Sequence, residues 1–157
     1  MIYVFDTSSL IKIFGFYPKR FPTLWSNFSA LIQGAKIISV REVLKEIHQS
    51  NSEMMQWSKD NDSMFYPLSN EDASFLMEIF RAKNGHFQHI IKNVNILKGS
   101  PVADPFVIAK AKIVQGSVVT EERPGGHNST KIPDICKHFD IDCLNLEGLM
   151  EREQWLF

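Results

Sequence analysis

The sequence predicts an α/β fold, a three-layer sandwich whose central, mainly parallel sheet is flanked by helices, in a single domain over residues 1–157. Three observations predict it. Short β-branched, mostly apolar runs recur along the chain, as expected of parallel strands covered on both faces. Longer segments with helical spacing lie between them, and that alternation implies right-handed crossovers with helices against a sheet. There is no internal repeat or low-complexity tract to suggest another architecture.

"IYVF" (Ile2 to Phe5) reads as the first strand. It stops at Asp6, a favoured N-cap for a helix beginning near Ser8 or Ser9. Phe21 to Ile32 carries Leu24, Phe28, Leu31 and Ile32 at helical spacing. "KIISV", near Lys36 to Val40, reads as the second strand and runs into a helix in "SVREVLKEI". There Ser39 and Glu42 match the S-x-x-E capping box. The polar, methionine-rich stretch from Asn51 to Phe65 suggests a helix ending near Asp60 to Asp62. Ala73 to Phe80 and Val102 to Ile113 are again helical in spacing, the second rich in small apolar residues as an inner helix is. Asp104 before Pro105 is a good helix start, with Asp at the cap. "GSVVTE", near Ser117 to Glu121, reads as the third strand, Arg123 to Thr130 ("RPGGHNST") as a surface loop, and "IDCLNL", near Ile141 to Leu146, as the fourth strand.

A net charge of −1 argues against coating nucleic acid by bulk electrostatics. The charges are nevertheless divided. From Glu42 to Glu78 there are eight acids (Glu42, Glu46, Glu53, Asp60, Asp62, Glu71, Asp72, Glu78) against Lys45 and Lys59. From Arg81 to Lys112 there are six bases (Arg81, Lys83, Lys92, Lys98, Lys110, Lys112) against Asp104 alone. No apolar run reaches membrane-spanning length, and the start lacks the order of a secretory signal, so the expectation is a cytoplasmic protein with no membrane association. Cys136 and Cys143 are then expected as thiols, one or both in the core. His86 and His89 stand three apart without further ligands at zinc-site spacing, and read as surface residues. "PGG" lacks the Lys-Ser/Thr of a phosphate loop. Trp25, Trp57 and Trp155 read as packing residues, as do Ile13, Phe14, Phe16 and Tyr17.

Acids stand where strands end. Asp6 closes the first, Glu46 lies one turn into the helix after the second, Asp104 heads the inner helix, and Glu121-Glu122 follow the third. Each has a structural alternative: a cap for Asp6 and Asp104, an exposed side chain beside Lys45 for Glu46, two exposed glutamates opening a loop for the pair. Together they occupy what is one rim in a doubly wound sheet. Several carboxylates in one cleft repel unless a divalent cation neutralises them, and oxygen-only donors suit Mg²⁺ or Mn²⁺. An inward-leaning Glu46 needs a partner, and a cation is the expected one.

On "IYVFDTSSLI", "ISVREVLKEI", "VADPFVIAKAK" and "SVVTEE", in that order, the chain resembles PIN domains, the metal-dependent ribonuclease fold shared by the toxins of VapBC-type (type II) toxin–antitoxin pairs. The resemblance implies Asp6, Glu46, Asp104 and Glu122 as catalytic metal-binding residues, Ser8 and Thr120 as polar supports, and Lys110 near the substrate phosphate. It also implies Mg²⁺ or Mn²⁺ as cofactor, RNA as substrate, a cognate antitoxin laid across the cleft, and a possible homodimer. Two departures stand out: the family's Thr-x-Asp is Thr120-Glu121-Glu122 here, and "RPGGHN" replaces the usual aromatic after the last acid. A PIN-like RNA- or protein-binding module without cleavage is the alternative these departures leave open.

Overall fold

β1 (Tyr3–Phe5) is the middle strand of a five-stranded, all-parallel sheet. It pairs with β2 (Ile37–Val40) on one side and β4 (Ser117–Val119) on the other; β3 (Phe65–Tyr66) and β5 (Cys143–Leu144) form the edges. The computed structural model describes residues 1–50, 52–92, 95–96 and 102–157. Every residue of β1, β2 and β4 is buried, which is why these runs are apolar without alternation. The four strands read from the sequence are present. β3 is the addition: two residues, with Tyr66 exposed, are too few to leave a periodic signal.

Eight α-helices among the described residues flank the sheet, completing the three-layer α/β sandwich. They are α1 (Thr7–Phe14), α2 (Pro22–Gln33), α3 (Arg41–Ser50), α4 (Ser52–Asp60), α5 (Asn70–Gly85), α6 (Asp104–Ile113), α7 (Ile132–His138) and α8 (Leu146–Arg152). α4 ends where its composition suggested. α7 and α8 span about two turns each, too short for helical periodicity to be read.

The capping box lies elsewhere than expected. Ser39 sits inside β2, and its hydroxyl donates to the Phe5 carbonyl at 2.7 Å, tying β2 to β1. The box instead starts α5: the Asp72 amide donates to Ser69 Oγ at 3.1 Å and the Ser69 amide to Asp72 Oδ2 at 2.8 Å. At the other end of α5 the helical dihedrals stop at Ala82, and Lys83, Asn84 and Gly85 take φ of 47°, 54° and 83°. Three successive left-handed residues turn the chain sharply, an unfavourable backbone for all but the glycine.

Strand residues pack with Phe28, Leu24, Ile47, Met54 and the inner helix α6 in one core. Trp57 stacks on Phe28 at 5.9 Å and Trp25 meets Phe14 edge-on at 5.0 Å; both, with Trp155, are packing residues. Ile13 is buried, but Tyr17 is 69% exposed, unlike the core position expected of it. Cys136 is buried, Cys143 half-buried, and both are free thiols. Among the described residues no helix is long and apolar enough to cross a membrane.

The strand order places the site. From β1 the chain fills one side of the sheet with β2 and β3, then crosses to fill the other with β4 and β5. The two directions diverge between the carboxyl ends of β1 and β4, where a doubly wound sheet opens a crevice.

Candidate active site

Asp6 is the first residue beyond β1 and Thr120 the first beyond β4, one on each side of that crevice. The Asp6 amide still donates to the Val119 carbonyl at 3.0 Å, so the two strand ends stay joined. The Asp6 side chain is buried and caps α1. Its Oδ2 accepts the Ser8 amide at 3.3 Å, the Ser8 hydroxyl at 2.6 Å and the Thr120 hydroxyl at 3.0 Å. Those hydroxyls in turn accept the amides of Glu121 (2.9 Å) and Glu122 (3.2 Å). All these donors converge on Oδ2, and Oδ1 has no protein donor among the described residues. The cap and the site are thus served by different oxygens of one carboxylate.

Glu46 leans inward from α3, and its partners are protein groups. Oε2 accepts the Thr7 hydroxyl, and Oε1 accepts the Ala103 amide at 2.9 Å. The expected cation is replaced by these two donors, through which Glu46 ties α3 to the starts of α1 and α6. Burial raises its carboxyl above the usual range, with the Asp6 charge adding to the rise and the Thr7 and Ala103 hydrogen bonds opposing it.

Asp104 departs from its expected role as a cap. Ala103 is the N-cap of α6, and Asp104 is the first helical residue with Pro105 behind it. No side-chain cap hydrogen bond forms at this helix start. The Asp104 carboxyl has no hydrogen-bond donor among the described residues. Its pKa is pushed up to about 8, first by burial and then by the charges of Asp6, Glu122 and Glu46, with Lys92 opposing. Each of the other three predicted acids therefore bears on Asp104.

Glu121 and Glu122 are both half-buried, unlike exposed glutamates opening a loop. Glu122 Oε2 accepts the Ile132 amide at 2.8 Å, at the start of α7. Glu121 Oε1 accepts the Leu146 amide at 2.8 Å, at the start of α8, with Lys12 Nζ at 3.7 Å from Oε2. Negative charge suits a helix N-terminus, so both acids anchor the helices that follow. Neither the Thr7 and Ala103 contacts nor these anchors has a sequence signal, since every partner is distant along the chain.

Lys110 points elsewhere. Its ammonium is buried in an ion pair with Asp72 of α5 and lies 5.9 Å from the centre of the Tyr66 ring. A contact with a substrate phosphate is incompatible with that placement. The rest of the basic stretch is dispersed: Lys83 lies over Phe87, Lys112 donates to the Phe139 carbonyl, and Lys98 falls outside the described residues.

Beside the corner opens a groove of about 650 Å³, lined by Ser8, Thr120, Glu121 and Glu122, with Lys12 and Arg123 among its cations. The chain matches, over residues 3–157, the family described as "Domain of unknown function (DUF4411)". It belongs to that family. No curated protein and no solved structure matches it.

In this DUF4411 chain the donors suit a hard divalent cation: oxygen only, like charges crowded together, and oxygens of Asp6 and Asp104 that no described group satisfies. Among the described residues no three His, Cys, Asp or Glu side chains already form a metal-binding set. The acids share the corner without closing a cage.

Proposed function

We propose that this DUF4411 chain is a Mg²⁺- or Mn²⁺-dependent endoribonuclease of PIN-like design, acting as the toxin of a type II toxin–antitoxin pair. The observation that carries the reading is Asp104: a half-buried carboxyl at the head of an inner helix, relieved of capping duty, without a donor, and influenced by three further acids. Such a group favours either a proton or a cation, and at neutral pH a divalent ion competes with the proton.

In this reading Asp6 Oδ1, Asp104 and the remaining oxygen of Glu122 hold the ion. The bound ion polarises the scissile phosphate and lowers the pKa of the attacking water. Ser8 and Thr120 fix the Asp6 carboxylate in one orientation by binding Oδ2. Glu46 is a positioning residue: through Thr7 and the Ala103 amide it sets where Asp104 stands. No carboxylate acts as a covalent nucleophile. An antitoxin segment bearing a cation would block the corner by neutralising the same acids.

The test is RNA cleavage with Mg²⁺ or Mn²⁺ by wild type, Asp6→Asn and Asp104→Asn. The expected result is metal-dependent cleavage by wild type, reduced at least about a hundredfold in each variant. Wild-type rates in both variants overturn the site assignment. A PIN-like binding module without cleavage is the second reading, favoured by the hydrogen bonds that already occupy Glu46 and one oxygen of Glu122. It predicts a melting temperature indifferent to both ions.

A further inference from the structure

A second pocket, of about 580 Å³, adjoins the groove at the acidic corner, and both are lined by Pro124 and Pro133. Its charge is opposite in character. Lys83, His127, Lys137 and His138 line it, and the one acid present is Asp134. That carboxylate is committed to the loop backbone, accepting the Gly125 amide at 2.8 Å. The ammonium groups of Lys83 and Lys137 make no ion pair among the described residues, and both side chains lie on exposed residues.

The pocket walls are held from several directions. The left-handed corner at Lys83–Gly85 forms one side and leaves Lys83 Nζ 5.2 Å from the centre of the Phe87 ring. His86 Nε2 lies 2.9 Å from the Asn128 carbonyl, fastening the 123–130 loop to that corner. Glu122 fastens the far end of the loop to α7, the helix that carries Lys137 and His138. The loop that departs from the PIN pattern at "RPGGHN" is thus the floor of a preorganised cationic pocket. Arg123, exposed and lining the groove next door, bridges the two.

We propose that this pocket is a backbone-phosphate subsite for single-stranded RNA whose scissile bond lies at the acidic corner. Lys83 and Lys137 engage a phosphate one or more nucleotides away, with the imidazoles of His127 and His138 beside them as hydrogen-bonding groups. The proposal rests on the ribonuclease reading for its substrate class. It explains how a chain with net charge −1 holds a polyanion against a cluster of acids: the attraction is local, beside the acids and not among them.

The experiment measures binding apart from cleavage. Fluorescence anisotropy follows a labelled single-stranded RNA oligonucleotide binding to the full chain with a chelator present, over about 50–200 mM salt. Wild type is compared with Lys83→Gln/Lys137→Gln and with Lys36→Gln, which precedes β2 on the opposite rim of the sheet. The expected result is a Kd about tenfold weaker for the double variant. Its salt slope should be shallower by roughly 1.4, at about 0.7 per lost phosphate contact, with Lys36→Gln unchanged. Equal affinity and slope in wild type and double variant overturn the subsite and leave the cleavage reading untouched. Loss of RNA binding in the double variant, with no metal-dependent cleavage by wild type, keeps the subsite and removes the ribonuclease. Wild type that ignores RNA but binds poly-glutamate through the same lysines overturns the proposal in favour of an acidic protein partner.

Discussion

Asp6 illustrates how one residue serves two ends. The sequence left it balanced between helix cap and ligand, and the structure makes it a cap through Oδ2 while Oδ1 stays unpartnered among the described residues. Asp104 carries the larger electrostatic cost. With its folded pKa near 8 and its ordinary value at 3.8, the native state binds the extra proton. That contribution is fully present below about pH 3.8 and is lost as pH rises towards 8. In chelator, stability should therefore fall across this window, and Asp104→Asn should melt higher than wild type at pH 7–8. A lower melting temperature for the variant would contradict the crowding. Glu46 has the reverse character. Glu46→Ala strands the Ala103 amide and the Thr7 hydroxyl, and should cost about 1–3 kcal/mol by urea denaturation; an unchanged midpoint would show that neither bond matters.

At the scale of elements, the acids and the helix starts are organised together. Glu121 and Glu122 anchor α8 and α7, and Glu46 ties α3 to the starts of α1 and α6. The buried Lys110–Asp72 pair fastens α6 to α5. Burial raises the Asp72 carboxyl, but the ion pair and the Ser69 hydrogen bonds outweigh it and hold the group below its usual range. This contribution is present above about pH 3.8 and disappears as pH falls through the lowered value. Opposed to Asp104, it should place maximum metal-free stability in the mildly acidic range. Lys110→Met leaves Asp72 buried and unpaired, at about 3–5 kcal/mol. Asp72→Asn/Lys110→Met should cost less than the two single changes summed, as read from denaturation midpoints; strict additivity would mean that the pair does not interact. Strands and long helices were legible because burial of a whole strand or one helix face fixes a pattern over many residues. The Ser69–Asp72 box, the trans anchors and the Lys110 pairing were not, because a cap or an ion pair needs only one residue from each partner.

For the whole molecule, the topology does most to make the acids a site. The order β3-β2-β1-β4-β5 brings the ends of β1 and β4 together at the point of divergence. Asp6 and Thr120 come from these ends, and Glu46 and Asp104 arrive on helices anchored to the same corner. Acids at strand ends were visible in the sequence, as was the rim they share. The division of labour among them was not: Glu46 braces, Glu122 anchors and contributes one free oxygen, while Asp6 and Asp104 present the least satisfied oxygens. The central claim is that these oxygens converge on a divalent cation. Calorimetric titration of the metal-free protein with Mn²⁺ tests it most directly. The account predicts saturable binding by wild type, weakened at least about tenfold (roughly 1.4 kcal/mol) in Asp6→Asn and in Asp104→Asn. Equal Mn²⁺ affinity in all three proteins, or none in wild type, would contradict it.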